Sequence, residues 1–94
     1  MRRKLNIPFK WGKIIITPAV EAAIPNADIL MAFGRHVSGD WGDVSDDSWE
    51  INNGAVIDES GLIHSVYKSR AETKFWIITE ADRSVTTVLL PSDY

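Results

Sequence analysis

The chain has 94 residues, 45% of them apolar, with four Trp, no Cys and a formal net charge of −3. That length carries one hydrophobic core and leaves no room for a second domain, so the expectation is a single domain over residues 1–94, with 1–12 as an irregular N-terminal extension. The missing thiols exclude disulfides and thiolate metal sites, and the acidic balance argues against binding phosphate.

Arg2-Arg3-Lys4 opens the chain with positive charge, but Asn6, Pro8, Lys10 and Lys13 interrupt any apolar stretch behind it. No segment approaches the ~20 apolar residues that cross a bilayer, so the expectation is a cytoplasmic protein without a membrane partner. Charge is unevenly placed: basic groups gather at the start, whereas Asp43, Asp46, Asp47, Glu50, Asp58 and Glu59 crowd the middle. Such a belt repels nucleic acid and suits a basic protein surface.

Residues 13–17 are short and β-branched, which predicts a strand. Thr17-Pro18 then supplies a cap and a first-turn proline for a helix that Pro25 closes. Asn26 opens the next helix, with Ile29, Phe33 and Val37 four apart, and Gly39 ends it. Ser45 caps a third, in which Asp46 and Asp47 complement the helix dipole and Trp49, Asn52 and Val56 share a face; Asn52-Asn53-Gly54 is a competing turn signal. After Gly61, residues 62–68, 74–80 and 85–90 are rich in Val, Ile, Thr, Tyr and Trp and are separated by the polar connections 70–73 and 81–84. The fold class expected is α+β: a short N-terminal strand, two to three helices, then a three-stranded antiparallel meander packed on the helices.

Taken as four-residue loops, those connections place Lys68 opposite Phe75 and Glu80 opposite Val85. One sheet face then carries Val66, Phe75, Ile77, Val88 and Leu90 and ends in a row of His64, Thr79 and Thr86 beside the Asp82-Arg83 turn. The other face carries Ile63, Ser65, Tyr67, Trp76, Ile78, Thr87 and Leu89.

Two polar phrases hold the candidate functional residues, His36 to Asp43 and Ile78 to Ser84. In the first, His36, Asp40 and Asp43 could ligate a divalent ion, but their spacing fits neither a zinc nor a calcium loop. The structural reading makes Gly39 a helix C-cap, Trp41 a core plug, the aspartates amide caps, and His36 a cation favoured at a helix C-terminus. No metal or cofactor is expected. In the second, His64, Thr79, Glu80, Arg83 and Thr86 have the chemistry of a metal-independent ribonuclease: acid, base, hydroxyls and an arginine for the developing charge. Against that set, Thr79 and Thr86 read as a stabilising cross-strand pair, and Glu80 with Arg83 as a turn-closing ion pair. Trp49 and Trp76 read as core, while Trp11 is either an exposed anchor or a lid over the sheet.

The phrases Arg35-His36 with Gly39-Asp40-Trp41-Gly42-Asp43, Ser65 with Tyr67, Trp76 to Ser84, and Thr86 to Pro91 together resemble a family of small proteins of plasmids, phages and genomic islands. Its members are called plasmid-related proteins or type I restriction endonuclease M subunits. The resemblance spans roughly residues 13–94 and brings no catalytic residue with it. The methyltransferase label conflicts with a chain too short for a doubly wound cofactor domain and without a Gly-rich loop after its first strand.

The expected function is that of a non-catalytic interaction protein of a mobile genetic element, with His36, Asp40, Trp41, Asp43, Asp82 and Arg83 as binding residues. The resemblance implies a target in host defence, as for anti-CRISPR or anti-restriction proteins: a host protein or protein–nucleic acid complex with a basic surface. The alternatives are the ribonuclease or toxin-like enzyme and a self-associating structural protein that forms a homodimer through a sheet edge.

Overall fold

The computed structural model describes residues 2–94. Thr17 separates a strand, β1 (Lys13–Ile16), from a helix, α1 (Pro18–Ala23). Its hydroxyl accepts the Val20 N–H at 3.2 Å, and Pro18 occupies a first-turn position whose amide would have no helical partner. Pro25 stands at the start of α2 (Asn26–Val37), and Gly39, at φ 85°, turns the chain away after it. Ser45 caps α3 (Asp46–Ile57) by accepting the Ser48 N–H at 3.1 Å. Asn52-Asn53-Gly54 stays helical because both asparagine side chains have partners outside the helix and do not compete for its backbone.

Three strands follow, β2 (Ile63–Lys68), β3 (Lys74–Thr79) and β4 (Val85–Leu89), and a 3-10 turn covers Pro91–Asp93. The α+β class and the three helices match the expectation; the sheet is larger than expected. The meander belongs to a four-stranded mixed sheet in the order β1-β4-β3-β2, with β1 parallel to β4. A parallel neighbour needs a long crossover, which α1, α2, α3 and the first two meander strands provide.

Glu80 donates its N–H to the Val85 carbonyl, as the four-residue connection predicts. The β2–β3 register is one residue away from the expectation: Lys68 pairs with Lys74 and Tyr67 with Phe75. Ser69 N–H donates to Thr73 O, Glu72 N–H donates to Ser69 O, and Glu72 sits at φ 65°, so the turn is a three-residue loop with a left-handed last residue. That single-residue slip exchanges the faces of β2. Ile63, Ser65 and Tyr67 join Phe75, Ile77, Thr79, Thr86 and Val88 on the helix-covered side, and His64 and Val66 move to the other.

One core cluster packs Val20, Ile24, Ile29 and Ala32 against Tyr67, Phe75, Ile77 and Val88. A second gathers Trp41, Val44, Trp49, Ala55, Val56 and Ile63. The buried stripe of α2 is therefore Ile29, Ala32 and His36, with Phe33 at its margin, rather than Ile29, Phe33 and Val37. Residues 2–12 have no regular structure yet are tied down. Arg2 donates to the carbonyls of Gly42 and Val44 and pairs with Asp46, Trp49 Nε1 donates to Arg3 O at 3.1 Å, and Leu5 and Phe9 pack on the second cluster. Trp11 stays 39% exposed, its ring edge-on to Phe33. No helix among the described residues is long and apolar enough to cross a membrane.

Candidate functional site

A chain of hydroxyl and imidazole groups runs through the middle of the fold. His36, from the last turn of α2, places Nδ1 2.6 Å from Ser65 Oγ on β2 and Nε2 2.9 Å from Thr79 Oγ1 on β3. Thr79 Oγ1 lies 2.7 Å from Thr86 Oγ1 on β4, and Thr86 donates to the Trp11 carbonyl at 2.7 Å. A carbonyl only accepts, which fixes the protons of Thr86, Thr79 and His36 Nε2, and the neutral form that burial favours at His36 fixes that of Ser65. Thr86 gives its proton to Trp11, Thr79 gives its own to Thr86, His36 Nε2–H donates to Thr79, and Ser65 donates to an unprotonated Nδ1. The imidazole is neutral and its tautomer is set by its neighbours.

All four side chains are fully buried. Burial, with a smaller contribution from His64, drives the His36 pKa down to about 3. Phe9 and Trp41 wall the ring edge-on at centroid distances of 5.7 and 5.6 Å. A Ser–His pair at 2.6 Å has the form of an activated nucleophile, but this one reaches no solvent and faces no cleft. Its work is to join α2, β2, β3, β4 and the N-terminal segment with satisfied hydrogen bonds.

The ribonuclease set does not assemble around this chain. Thr79 and Thr86 are adjacent, but His64 pairs with Ile78 and points to the opposite sheet face, its ring 4.5 Å from Trp76. Glu80 is exposed. Arg83 makes no ion pair with it: the guanidinium donates to the carbonyls of Gly61 (2.7 Å), Ala55 (2.8 Å), Glu80 (3.1 Å) and Ala81 (3.3 Å), closing the end of α3 onto the β3–β4 turn. Asp82 Oδ1 accepts the hydroxyl and amide of Ser84, which hold its exposed carboxyl below the usual value.

The other phrase also divides. Asp40 is gripped by Arg35 through two bonds of 2.9 and 3.2 Å and accepts the Gly42 N–H. Burial alone would raise its carboxyl, but those donors hold it below the ordinary value. The Arg35 guanidinium also lies 4.9 Å from the Tyr67 ring centroid, and Tyr67 OH donates to Asp40 O at 2.7 Å. Burial in turn pushes the Tyr67 phenol above its usual pKa. Trp41 is buried, with Nε1–H on Asn53 Oδ1 at 2.9 Å, and Asp43 is exposed. His36, Asp40 and Asp43 thus face three different surroundings and do not converge on a common point; no metal-holding group of three occurs among the described residues.

Sequence reasoning missed Ser65 and Asn52. Ser65 carries a signal, as a lone hydroxyl between Ile63 and Tyr67 on one face of a strand. Asn52 pairs with the backbone of β2 as a strand would: Nδ2 donates to His64 O at 2.8 Å and Oδ1 accepts His64 N–H at 3.1 Å. Next to it, Val66 N–H donates to Trp41 O and Val66 O accepts the Asp43 amide. Gly42 sits at φ 75° against Val66 O, where a side chain has no room.

Outside these contacts lies a groove of about 620 Å³ between α3 and β2, lined by Val44, Ile51, Asn52, Leu62, His64 and Val66 among others. His64 Nε2 is buried without a hydrogen-bond partner, and burial lowers its pKa. On α3 Asp47 and Glu50 are exposed, as are Asp58 and Glu59 just after it, and Ile51 and Ile57 are 67% and 60% exposed. No family model, curated protein or solved structure matches this chain.

Proposed function

We propose that the chain is a non-catalytic protein-binding module whose working surface is α3 and the groove beside it, and that its partner presents a basic surface. One observation carries this reading. Residues 43–59 contain six carboxylates and no Lys or Arg, and among the described residues only Asp46 of the six is held in an ion pair. Interleaved with those free carboxylates are Ile51 and Ile57, both largely exposed. Charge of one sign steers a partner of the other, and large aliphatic side chains on the same helix supply area that is removed from water on docking.

The resemblance to plasmid, phage and island proteins supports a target class: a host defence complex, of the CRISPR or restriction kind, whose nucleic-acid site is basic. On this reading α3 occupies that site in place of a phosphate backbone. The burial of Ser65, His36, Thr79 and Thr86 favours binding over catalysis, since no substrate reaches them.

The test is capture of host proteins on the immobilised chain, followed by competition with a polyanion. A partner is expected to be retained, to elute with heparin or high salt, and to be lost with Asp47→Lys/Glu50→Lys/Asp58→Lys and separately with Ile51→Asp/Ile57→Asp. These positions are exposed, so both variants are expected to fold. A partner that both variants still retain, or that heparin fails to displace, overturns the reading.

A further inference from the structure

We propose that two copies of this chain pair through β1, antiparallel about a two-fold axis, to form a continuous sheet across both molecules. The surface is separate from the proposed partner site, because β1 and β2 are opposite edges of the sheet and α3 lies beside β2.

The two edges are treated differently. On β2, the outward groups of His64 are taken by Asn52 and those of Val66 by residues 41 and 43, and exposed Lys68 lies just beyond. These devices keep another strand away. Apart from exposed Lys13 at its start, nothing comparable among the described residues protects β1. Lys13 and Thr17 donate to the carbonyls of Ser84 and Val88, and with Ile15 facing Thr87 the parallel ladder directs the amides and carbonyls of Ile14 and Ile16 outward. No other hydrogen bond among the described residues reaches them. After Lys13 the strand is three consecutive isoleucines, 47%, 41% and 38% exposed, with no proline, bulge or inward charge.

The register that suits a second copy is set by these groups. Ile14 opposite Ile16 of the partner copy, and the reverse, makes two pairs that each exchange two N–H···O bonds, with Ile15 facing its own counterpart on the axis. Pro18 has no amide and ends the pairing. Lys13 then lies directly opposite Thr17 of the partner copy, on the same face. Thr17 Oγ1 donates to Asp93 Oδ2 at 2.8 Å, so each Lys13 ammonium approaches the other copy's Asp93 carboxylate. This charge complementarity occurs twice by symmetry, and it singles out a second copy over an unrelated extended peptide.

Analytical ultracentrifugation across a concentration series tests the proposal. The 10.5 kDa chain is expected to sediment as a dimer. Ile14→Pro removes an outward amide and no hydrogen bond to β4, and is expected to give a monomer with an unchanged circular dichroism spectrum. Lys13→Glu and Asp93→Lys are each expected to weaken the dimer at least tenfold, and the double swap to restore it, which an interface elsewhere would not do. A chain that stays monomeric up to about 1 mM, a dimer that survives Ile14→Pro, or a double swap that fails to rescue overturns the proposal. So does capture of a foreign strand by β1 of a monomeric chain.

Discussion

Ser65 Oγ lies 2.6 Å from His36 Nδ1, and the proton between them is directed by two things: the carbonyl of Trp11 at the far end of the hydrogen-bond chain and the burial that keeps the imidazole neutral. Because that carbonyl cannot donate, Nε2 carries the proton of the neutral ring, and the serine donates to the bare Nδ1. The geometry that would make a nucleophile in an open cleft makes a closed, one-way relay in a sealed core.

Acid sensitivity originates in the imidazole. His36 titrates near 6.5 when exposed and at about 3 in the fold, so between those values the unfolded chain binds the extra proton. The contribution is complete above pH 6.5 and is lost as pH falls toward 3, at about 1.4 kcal/mol per pH unit. His64, also lowered by burial, acts in the same direction. Urea titrations at stepped pH are expected to show stability falling from pH 6.5 downward, with a shallower slope in His36→Gln. Carbon-attached imidazole proton shifts of His36 are expected to stay constant down to about pH 4.

Thr79→Val leaves both Nε2–H of His36 and Oγ1 of Thr86 without their partner. Two orphaned buried groups at roughly 1–3 kcal/mol each predict a loss of about 2–6 kcal/mol. Thr79→Val/Thr86→Val removes a donor and its acceptor together, so a double-mutant cycle by chemical denaturation is expected to show a loss smaller than the sum of the two single changes.

Asn52→Ala uncovers the backbone of β2 at His64. The expected cost is about 1–3 kcal/mol from one donor and one acceptor left without protein partners. Hydrogen exchange at the His64 amide should accelerate more than at Ile77 or Val88 in the central strands. Wild-type exchange at His64 in the variant would remove Asn52 from its role as a surrogate strand.

Arg83→Lys retains the charge but not the planar fork that reaches Ala55 O and Gly61 O together. Ser60 N–H also donates to Ala55 O, at 3.1 Å. Exchange at Ser60 is expected to quicken by about 10-fold or more in Arg83→Lys and in Arg83→Ala alike, corresponding to ~1.4 kcal/mol of local stability. Rescue by lysine would mean that charge at the end of α3, rather than the fork, is what matters.

The helix starts were legible because Thr17 and Ser45 act through neighbours three residues away, and such local chemistry shows in a sequence. The β3–β4 register was legible for the same reason. The β2–β3 register was not, since Glu72 adopts a left-handed conformation usually marked by Gly or Asn and shortens the loop by one residue. That one step replaced His64 with Ser65 beside Thr79. The ring that completes the row, His36, comes from a helix 43 positions earlier. Its place four residues after buried Ala32 was available as a signal, but the Ile29, Phe33, Val37 spacing masked it. The parallel docking of β1 has no local signature in four residues.

The pairing of β1 with β4, reinforced by the bond from Thr17 to Asp93 across 76 positions, also orders events during synthesis. Emerging from the ribosome, β1 has no neighbour in its sheet to bind until β4 has cleared the exit tunnel. Its three isoleucines therefore wait without a seat while the three helices and the two intervening strands are made.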